Sequence, residues 1–325
     1  MSSLKEVAKR AGVSPITVSR VVNNPEIVSP KTIAVVRKAM EELDYSINPI
    51  AKALVTKKTH VIDVYIPSHI DVNNQYVMQL ISGISEVLSQ SMYSFLLIRD
   101  LKIDHMCDGY VVTGLYEGEL DMLIDHVTFK DRKFVLFGKT DRKKIDYIDV
   151  DNVAGAKEII NYLIDNGHKE IALLNIKDEK KHLYGKERYL GYAEALREAN
   201  LPIDEHHIFR ADNNAPSAYS AAREFLKDLS CSALFCVTDT MAVGVMQACR
   251  EMNIRVPEDL SIVGYDGYGY QVMVQPNITT MAQPIFNIGK LLAETLIDRL
   301  KNDSKEQVNQ LIRPTILIGE SVKKM

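Results

Sequence analysis

A chain of 325 residues is long enough for about two domains and a sizeable core. With 46% apolar and 25% charged residues its composition is that of an ordinary globular protein, which excludes disorder, collagen-like sequence and a small disulfide scaffold. The net charge of −4 conceals a division: residues 1–58 hold 10 Lys and Arg against 5 Asp and Glu, and the remainder holds 29 against 38. A basic head on an acidic body suggests a polyanion-binding module on a globular carrier. No apolar run reaches the roughly 20 residues that a bilayer requires, and Met1–Arg10 carries no secretory apolar segment, so a cytoplasmic location without membrane contact is expected. Cys107, Cys231, Cys236 and Cys249 have no zinc-like spacing and read as buried reduced thiols; no metal or other cofactor is expected.

In the basic head, Ser3 and Glu6 form a capping box, and Leu4, Val7, Ala8 and Ala11 recur at helical spacing until Gly12. Ser14 can cap a second helix with Pro15 at its first position, where a missing N–H costs nothing. Asn23-Asn24-Pro25 ends that helix near Val22. Ser29-Pro30 repeats the signature before a third helix with Ile33, Val36, Met40 and Leu43 along one face. Two helices joined by a short Gly-containing turn form a helix-turn-helix, whose second helix can enter a major groove. That helix offers Ser14, Ile16, Thr17, Ser19 and Arg20: hydroxyls suited to phosphates and one guanidinium suited to a guanine edge. Composition alone leaves a plain three-helix docking domain equally open.

The order of residues goes further. Leu4-Lys5-Glu6-Val7-Ala8-Lys9-Arg10-Ala11-Gly12-Val13-Ser14, then Thr17-Val18-Ser19-Arg20-Val21-Val22-Asn23, resembles the headpiece of the lactose/galactose repressor (LacI/GalR) family. The likeness continues through Val28-Ser29, Thr32, Val36, Ala39-Met40, Leu43-Asp44-Tyr45, Asn48-Pro49, Ala51 and Leu54. It implies a headpiece over 1–47 with DNA contacts at Ser14, Pro15, Ile16, Thr17, Ser19, Arg20, Asn23 and Thr32. It also implies a hinge over 48–58, contacting DNA through Asn48, Ala51, Lys52 and Leu54. Leu54 matches the leucine that the family wedges into the minor groove, and Lys52 stands where the family more often has Arg. Eight residues from Asn48 to Val55 are too few for a stable isolated helix, which suits a segment that orders on DNA.

Beyond Thr59, β-branched runs alternate with helical patterns: strands at 61–66, 95–98, 109–113, 134–137, 171–175, 233–237, 261–265 and near 315–318, and helices at 76–89, 154–166, 189–199, 218–229, 240–252 and 284–300. Alternation of this kind predicts an α/β fold with parallel, helix-covered sheets. Gly167-His168-Lys169-Glu170-Ile171-Ala172, Arg188 with Gly191-Tyr192, Thr238-Asp239-Thr240-Met241-Ala242 and Val256-Pro257-Glu258-Asp259-Leu260-Ser261-Ile262-Val263-Gly264-Tyr265-Asp266 extend the resemblance over 59–325. They imply a two-lobed core like that of periplasmic sugar-binding proteins. Only ten residues separate Ile98 from Gly109, where the family places a crossover helix, so that helix is expected to be shortened or absent.

Ligands of open α/β sheets gather at the C-terminal strand edges. The resemblance assigns a small-molecule effector there to Arg188, expected at the start of its helix, and to Asp266, with Ser68, Asp151, Asn152, His182, Tyr184, Asn213 and Thr238 around the same rim. Asn213 lies where relatives often carry an aromatic ring. Taken together, the chain reads as a repressor-type regulator, a homodimer or dimer of dimers, binding a roughly palindromic double-stranded operator under control of a sugar, sugar phosphate or similar polar metabolite. Docking of a phosphorylated carrier protein stays open, as does a free-standing small-molecule binding protein. No phosphate-cradling glycine loop or nucleophile elbow appears, so no enzymatic activity is expected. His168 reads as a helix C-terminal group, His206-His207 beside Asp204-Glu205 as a solvated loop, and Asp149 with Asp151 as carboxylates that line a polar cleft or bind solvent.

Overall fold

The computed structural model describes residues 3–46, 53, 56, 58–100, 106–116, 118–125, 132–178, 182–228, 230–302 and 306–325. The chain divides into two compact units, residues 1–62 with 105–108 and residues 63–104 with 109–325. In the first, α1 (Leu4–Ala11) starts at the Ser3–Glu6 capping box and stops at Gly12, whose φ of +66° is the left-handed conformation that lets a glycine close a helix. Next come α2 (Pro15–Asn23) and α3 (Pro30–Glu42), capped by the hydroxyls of Ser14 and Ser29 accepting from Thr17 N and Thr32 N. Val7, Ala8, Val18, Val21, Val36 and Ala39 fill the space between the three helices, and an Arg10–Glu42 ion pair ties the first to the third. The hinge positions Asn48, Ala51, Lys52 and Leu54 lie outside the described residues.

Two six-stranded sheets make the core. The first runs, in chain order, β1 (Val61–Tyr65), α4 (Gln75–Gln90), β2 (Ser94–Ile98), β3 (Gly109–Val112), α5 (Glu119–Asp125), β4 (Lys133–Phe137) and β5 (Asp146–Val150). The chain then crosses to α6 (Asn152–Asp165), β6 (Ile171–Ile176), α7 (Leu183–Glu198), β7 (Ile208–Ala211), α8 (Ala215–Phe225), β8 (Ala233–Cys236), α9 (Asp239–Glu251), β9 (Ser261–Asp266) and β10 (Thr279–Ala282). It returns for α10 (Ile285–Asn302) and β11 (Asn309–Ile312), and crosses once more for β12 (Thr315–Leu317). Strand orders are β11-β5-β4-β3-β1-β2 and β12-β10-β9-β8-β6-β7. Strands β6, β8 and β9 are buried along their whole length, as apolar runs sandwiched between helices must be.

Several details depart from the sequence-based expectations. Strand β12 pairs antiparallel with β10, so the second sheet is not wholly parallel. Strands β5, β7, β10 and β11 and helix α5 had no counterpart in the sequence pattern; Asp-Tyr-Ile-Asp-Val and Asn-Gln-Leu-Ile are too short and polar to announce themselves. In the Ile98–Gly109 connection the described residues 99–100 and 106–108 are not helical, and 101–105 lie outside the described residues. Edge strand β2 is half exposed, with Leu96 and Leu97 open to solvent.

Helices α4 and α10 approach so closely that a Cβ on Gly83 would lie 2.0 Å from the Phe286 carbonyl, and one on Gly289 2.4 Å from that of Leu80. No larger residue fits at either position. Behind them Arg299, on α10, donates from Nε and Nη2 to both oxygens of the buried Asp146 at 2.6 and 2.8 Å, and Val308 N donates to the same carboxylate, anchoring β11 beside β5. His168 is fully buried: its backbone N–H donates to the Leu163 carbonyl at the C-terminal end of α6, as expected, and its ring is bonded to the Ser232 hydroxyl and the Lys323 carbonyl, clamping the C-terminal segment. Cys107, Cys231, Cys236 and Cys249 are buried thiols. His207 faces Asp204 at 3.7 Å, and among the described residues no group of three or more His, Cys, Asp or Glu side chains could hold a metal ion. No helix among them is long and apolar enough to cross a membrane.

Candidate functional site

In the headpiece, helical periodicity sorts α2 into two faces. Val18 and Val21 are buried; Ser14, Pro15, Ile16 and Arg20 are exposed, Ile16 to 65%, and Thr17, Ser19, Asn23 and Thr32 are partly exposed. Ile16 and Arg20, four residues apart, share the exposed face of α2. Ser14 and Thr17 hydroxyls lie 2.9 Å apart at that N-terminus, and Asn23 donates to the Ser19 hydroxyl at 3.2 Å.

In the core, the C-terminal ends of the strands of both sheets supply the polar groups. Arg188 lies in the second turn of α7, which begins at Leu183; the expectation that Arg188 opens its helix is corrected, because the weakly amphipathic Leu183-Tyr184-Gly185-Lys186 turn gave no periodic signal. Its guanidinium is buried. Nη1 donates to Asp266 Oδ1 at 3.2 Å and to the Val237 carbonyl at 2.5 Å, Nε donates to Asn152 Oδ1 at 3.1 Å, and the Tyr265 ring lies 3.7 Å away. Asn152 in turn donates to Glu187 Oε2 at 2.9 Å. Asp266 ends β9 with φ +131°, a region that non-glycine residues rarely occupy, and Gly267 follows at +71° so close to Ala282 that a Cβ would meet its Cα at 2.6 Å. Such backbone strain, of order 1–3 kcal/mol, persists only where neighbours over-determine it. Here parallel pairing with β10 and the Gln283 side chain, donating to Asp266 Oδ1 at 2.8 Å, do so.

A second chain of bonds joins the remaining rim residues: Thr238 Oγ1 donates to Asn213 Oδ1 at 2.8 Å, and Asn213 Nδ2 donates to the Tyr184 hydroxyl at 2.9 Å. Thr238 and Asp151 also cap α9 and α6, accepting from Met241 N and Ala154 N, which gives each a structural duty besides any ligand contact. Ser68 is exposed, and its carbonyl accepts from Arg99. His182 meets Tyr184 and, across the cleft, the edge of Tyr116, whose face stacks on His69 at 3.8 Å. Sequence reasoning missed His69, Tyr76, Tyr116, Phe137, Glu187, Tyr268 and Gln283, since only the folded strand ends bring these together. Burial pushes Asp266 up to about 7 although Arg188 opposes the shift. Burial, then the charge of Glu187, pushes Asp149 up to about 7 as well, and burial raises Glu187.

A helix-turn-helix headpiece ahead of a two-lobed binding core defines a ligand-responsive DNA-binding regulator. Residues 3–48 match the bacterial regulatory proteins of the lacI family, and residues 160–322 match the periplasmic binding protein-like domain. The chain is 32% identical over 323 residues to the uncharacterized HTH-type transcriptional regulator YvdE of Bacillus subtilis (strain 168), spanning 99% of each chain. It is 31% identical over 340 residues to the HTH-type transcriptional repressor PurR of Vibrio parahaemolyticus, spanning all of both. Among solved structures it is similar to the transcriptional regulator CelR in complex with cellobiose, at 26% identity and a TM-score of 0.73 over 99% of this chain and 100% of that one. The lac repressor dimer bound to operator and the anti-inducer ONPF shares the fold, with a TM-score of 0.83 at 23% identity over 99% of each chain. The chain belongs to the lacI family of bacterial transcriptional regulators.

Proposed function

We propose that the chain is a cytoplasmic, homodimeric repressor, acting by binding without turnover, whose operator affinity is set by a polar metabolite held between the core lobes. The observation that carries this is the Arg188–Asp266–Asn152 node: a guanidinium from α7 and a carboxylate at the C-terminal end of β9 buried together, where a ligand offering both donors and acceptors can exchange with existing bonds. In this reading residues 1–47 read DNA, 48–58 form the hinge and 59–325 hold effector and dimer partner. Ser14, Thr17, Ser19, Asn23 and Thr32 position the headpiece on phosphates, Arg20 reads a base, and Pro15 and Ile16 make apolar contacts. In the hinge Asn48, Ala51 and Lys52 follow the minor groove and Leu54 wedges it open. Twofold protein symmetry calls for a roughly palindromic operator. Ser68, Asp151, His182, Tyr184, Asn213 and Thr238 complete the effector rim.

A thermal-shift screen of sugars, sugar phosphates and purines, with and without operator DNA, identifies the effector. Arg188→Ala and Asp266→Ala should then each abolish its binding while operator DNA still binds. Undiminished effector affinity in both variants would refute the placement of the site.

A further inference from the structure

Arg313 and Pro314 are the whole of the chain crossing from β11 to β12, since β11 ends at Ile312 and β12 begins at Thr315. The pyrrolidine ring fixes φ at Pro314, so few torsions are left there to absorb a change in the angle between the lobes. The segment is also held from two sides. Asp151 N, at the crossing from β5 to α6, donates to the Ile312 carbonyl at 2.9 Å. The buried Pro314 ring packs where Tyr265 and Gly155 meet: a Cβ on Gly155 would overlap both Pro314 Cγ and the Tyr265 hydroxyl oxygen. Tyr265 stands in register with Met281, one residue before the end of β10, and Met281 is paired in turn with Ile316 of β12. One side chain therefore touches or adjoins all three crossings.

The Tyr265 ring covers the Arg188 guanidinium at 3.7 Å, while its hydroxyl, on a residue with no solvent exposure, has no hydrogen-bond partner among the described residues. Burial holds that phenol protonated, so a donor is left unused. A buried donor without an acceptor disfavours the arrangement that contains it, by about 5- to 150-fold in a population ratio. The groups enclosing this one are Gly155 of α6 and Pro314 of the two-residue crossing, so a lobe movement that lifts Pro314 opens the hydroxyl to other partners. We propose that Tyr265 is a positioning residue for lobe orientation: its ring braces Arg188, and its stranded hydroxyl, wedged between Gly155 and Pro314, weights the molecule away from the lobe arrangement described above. Its consequence for DNA rests on the reading that operator affinity follows lobe orientation.

Two substitutions in the full chain should push in opposite directions. Tyr265→Phe keeps the ring over Arg188 and deletes only the hydroxyl, so it should raise the population of the described arrangement about fivefold or more and raise the melting temperature. Gly155→Ala sets a methyl against Pro314 and should lower that population. Spin labels at Gln90→Cys in α4 and Arg197→Cys in α7, exposed positions in the first and second lobe, read the interlobe distance by pulsed electron paramagnetic resonance in protein diluted with unlabelled chain. Affinity for a palindromic duplex, selected by the parent protein from a random pool, should move in opposite directions in the two variants. Interlobe shifts of the same sign, or a distance that Tyr265→Phe leaves unmoved, overturn the proposal. So does a Tyr265→Phe protein that melts no higher than the parent, a result that stands even where Gly155→Ala does not fold. Opposite interlobe shifts with duplex affinity unchanged instead remove the reading that lobe orientation governs DNA binding, and leave the role of Tyr265 in place.

Discussion

Replacing Asp149 by Asn should stabilise the ligand-free protein at pH 8 and leave it nearly unchanged at pH 5. The Asp149 carboxyl is pushed from 3.8 to about 7, by burial first and by Glu187 second. A folded-state value above the unfolded one means that the folded chain binds the extra proton, so the contribution to stability is full below 3.8 and is lost as pH rises to about 7. At 1.36 kcal/mol per pH unit the loss is about 4 kcal/mol by pH 8 and about 2 kcal/mol at pH 5. Asparagine never ionises, but it keeps only one acceptor oxygen for Lys139 N and Val150 N, which costs about 1–3 kcal/mol. The net gain is therefore about 1–3 kcal/mol at pH 8 and close to nothing at pH 5. At roughly 2–4 °C per kcal/mol for a domain of this size, the variant should melt several degrees above the parent at pH 8. Scanning calorimetry of both proteins at the two pH values reads this directly. An offset that is the same at both, or a variant that melts lower at pH 8, would refute the buried placement of this carboxyl.

Arg188→Ala leaves Asp266 buried without its cation, and Asp266 then takes up a proton at a higher pH still. The cost in stability should stay below the roughly 3–5 kcal/mol of a broken buried pair and should shrink as pH falls from 8 to 5, read by denaturant unfolding. Arg20→Ala should cost about 1–3 kcal/mol of operator affinity confined to one base position, and an equal loss on every sequence would make Arg20 a phosphate contact. Asp146→Ala strands Arg299 beside β11 and should lower stability by roughly 3–5 kcal/mol, whereas Asp146→Leu with Arg299→Met should recover most of it; a double variant as weak as the single one would show that packing, not charge, sets the cost.

The headpiece was legible because its instructions are local. Ser3 with Glu6, Ser14 with Pro15 and Ser29 with Pro30 act within one helical turn, and the structure places caps at all three. Buried strands such as Ile171–Ile176 and Ser261–Asp266 were legible because a strand covered on both faces is a continuous apolar run. Strand β10, Thr-Thr-Met-Ala, carries no such mark; its threonines are buried because Asp239 and Ser321, distant in sequence, satisfy them. The site divides likewise. Arg188 and Asp266 could be named from sequence, while the bridge from Arg188 through Asn152 to Glu187 joins positions some 35 residues apart and exists only once α6 and α7 pack together.

Three chain crossings join the lobes, β5 to α6, β10 to α10 and β11 to β12, and residues of the proposed effector site lie on two of them. Asp149 and Asn152 flank the first, and Asp266 holds the second through Gln283. A ligand bound there touches the segments whose backbone angles set lobe orientation, so its binding energy differs between orientations by whatever contacts only one of them allows. Regulation needs little of that energy: a coupling of about 1–3 kcal/mol changes operator affinity about 5- to 150-fold. The coupling is reciprocal. Effector affinity measured on operator-bound protein must differ from that of free protein by the same factor, in the direction that reveals whether the effector induces or represses, and a mismatch between the two factors would mean that the effector acts on DNA binding from some other site.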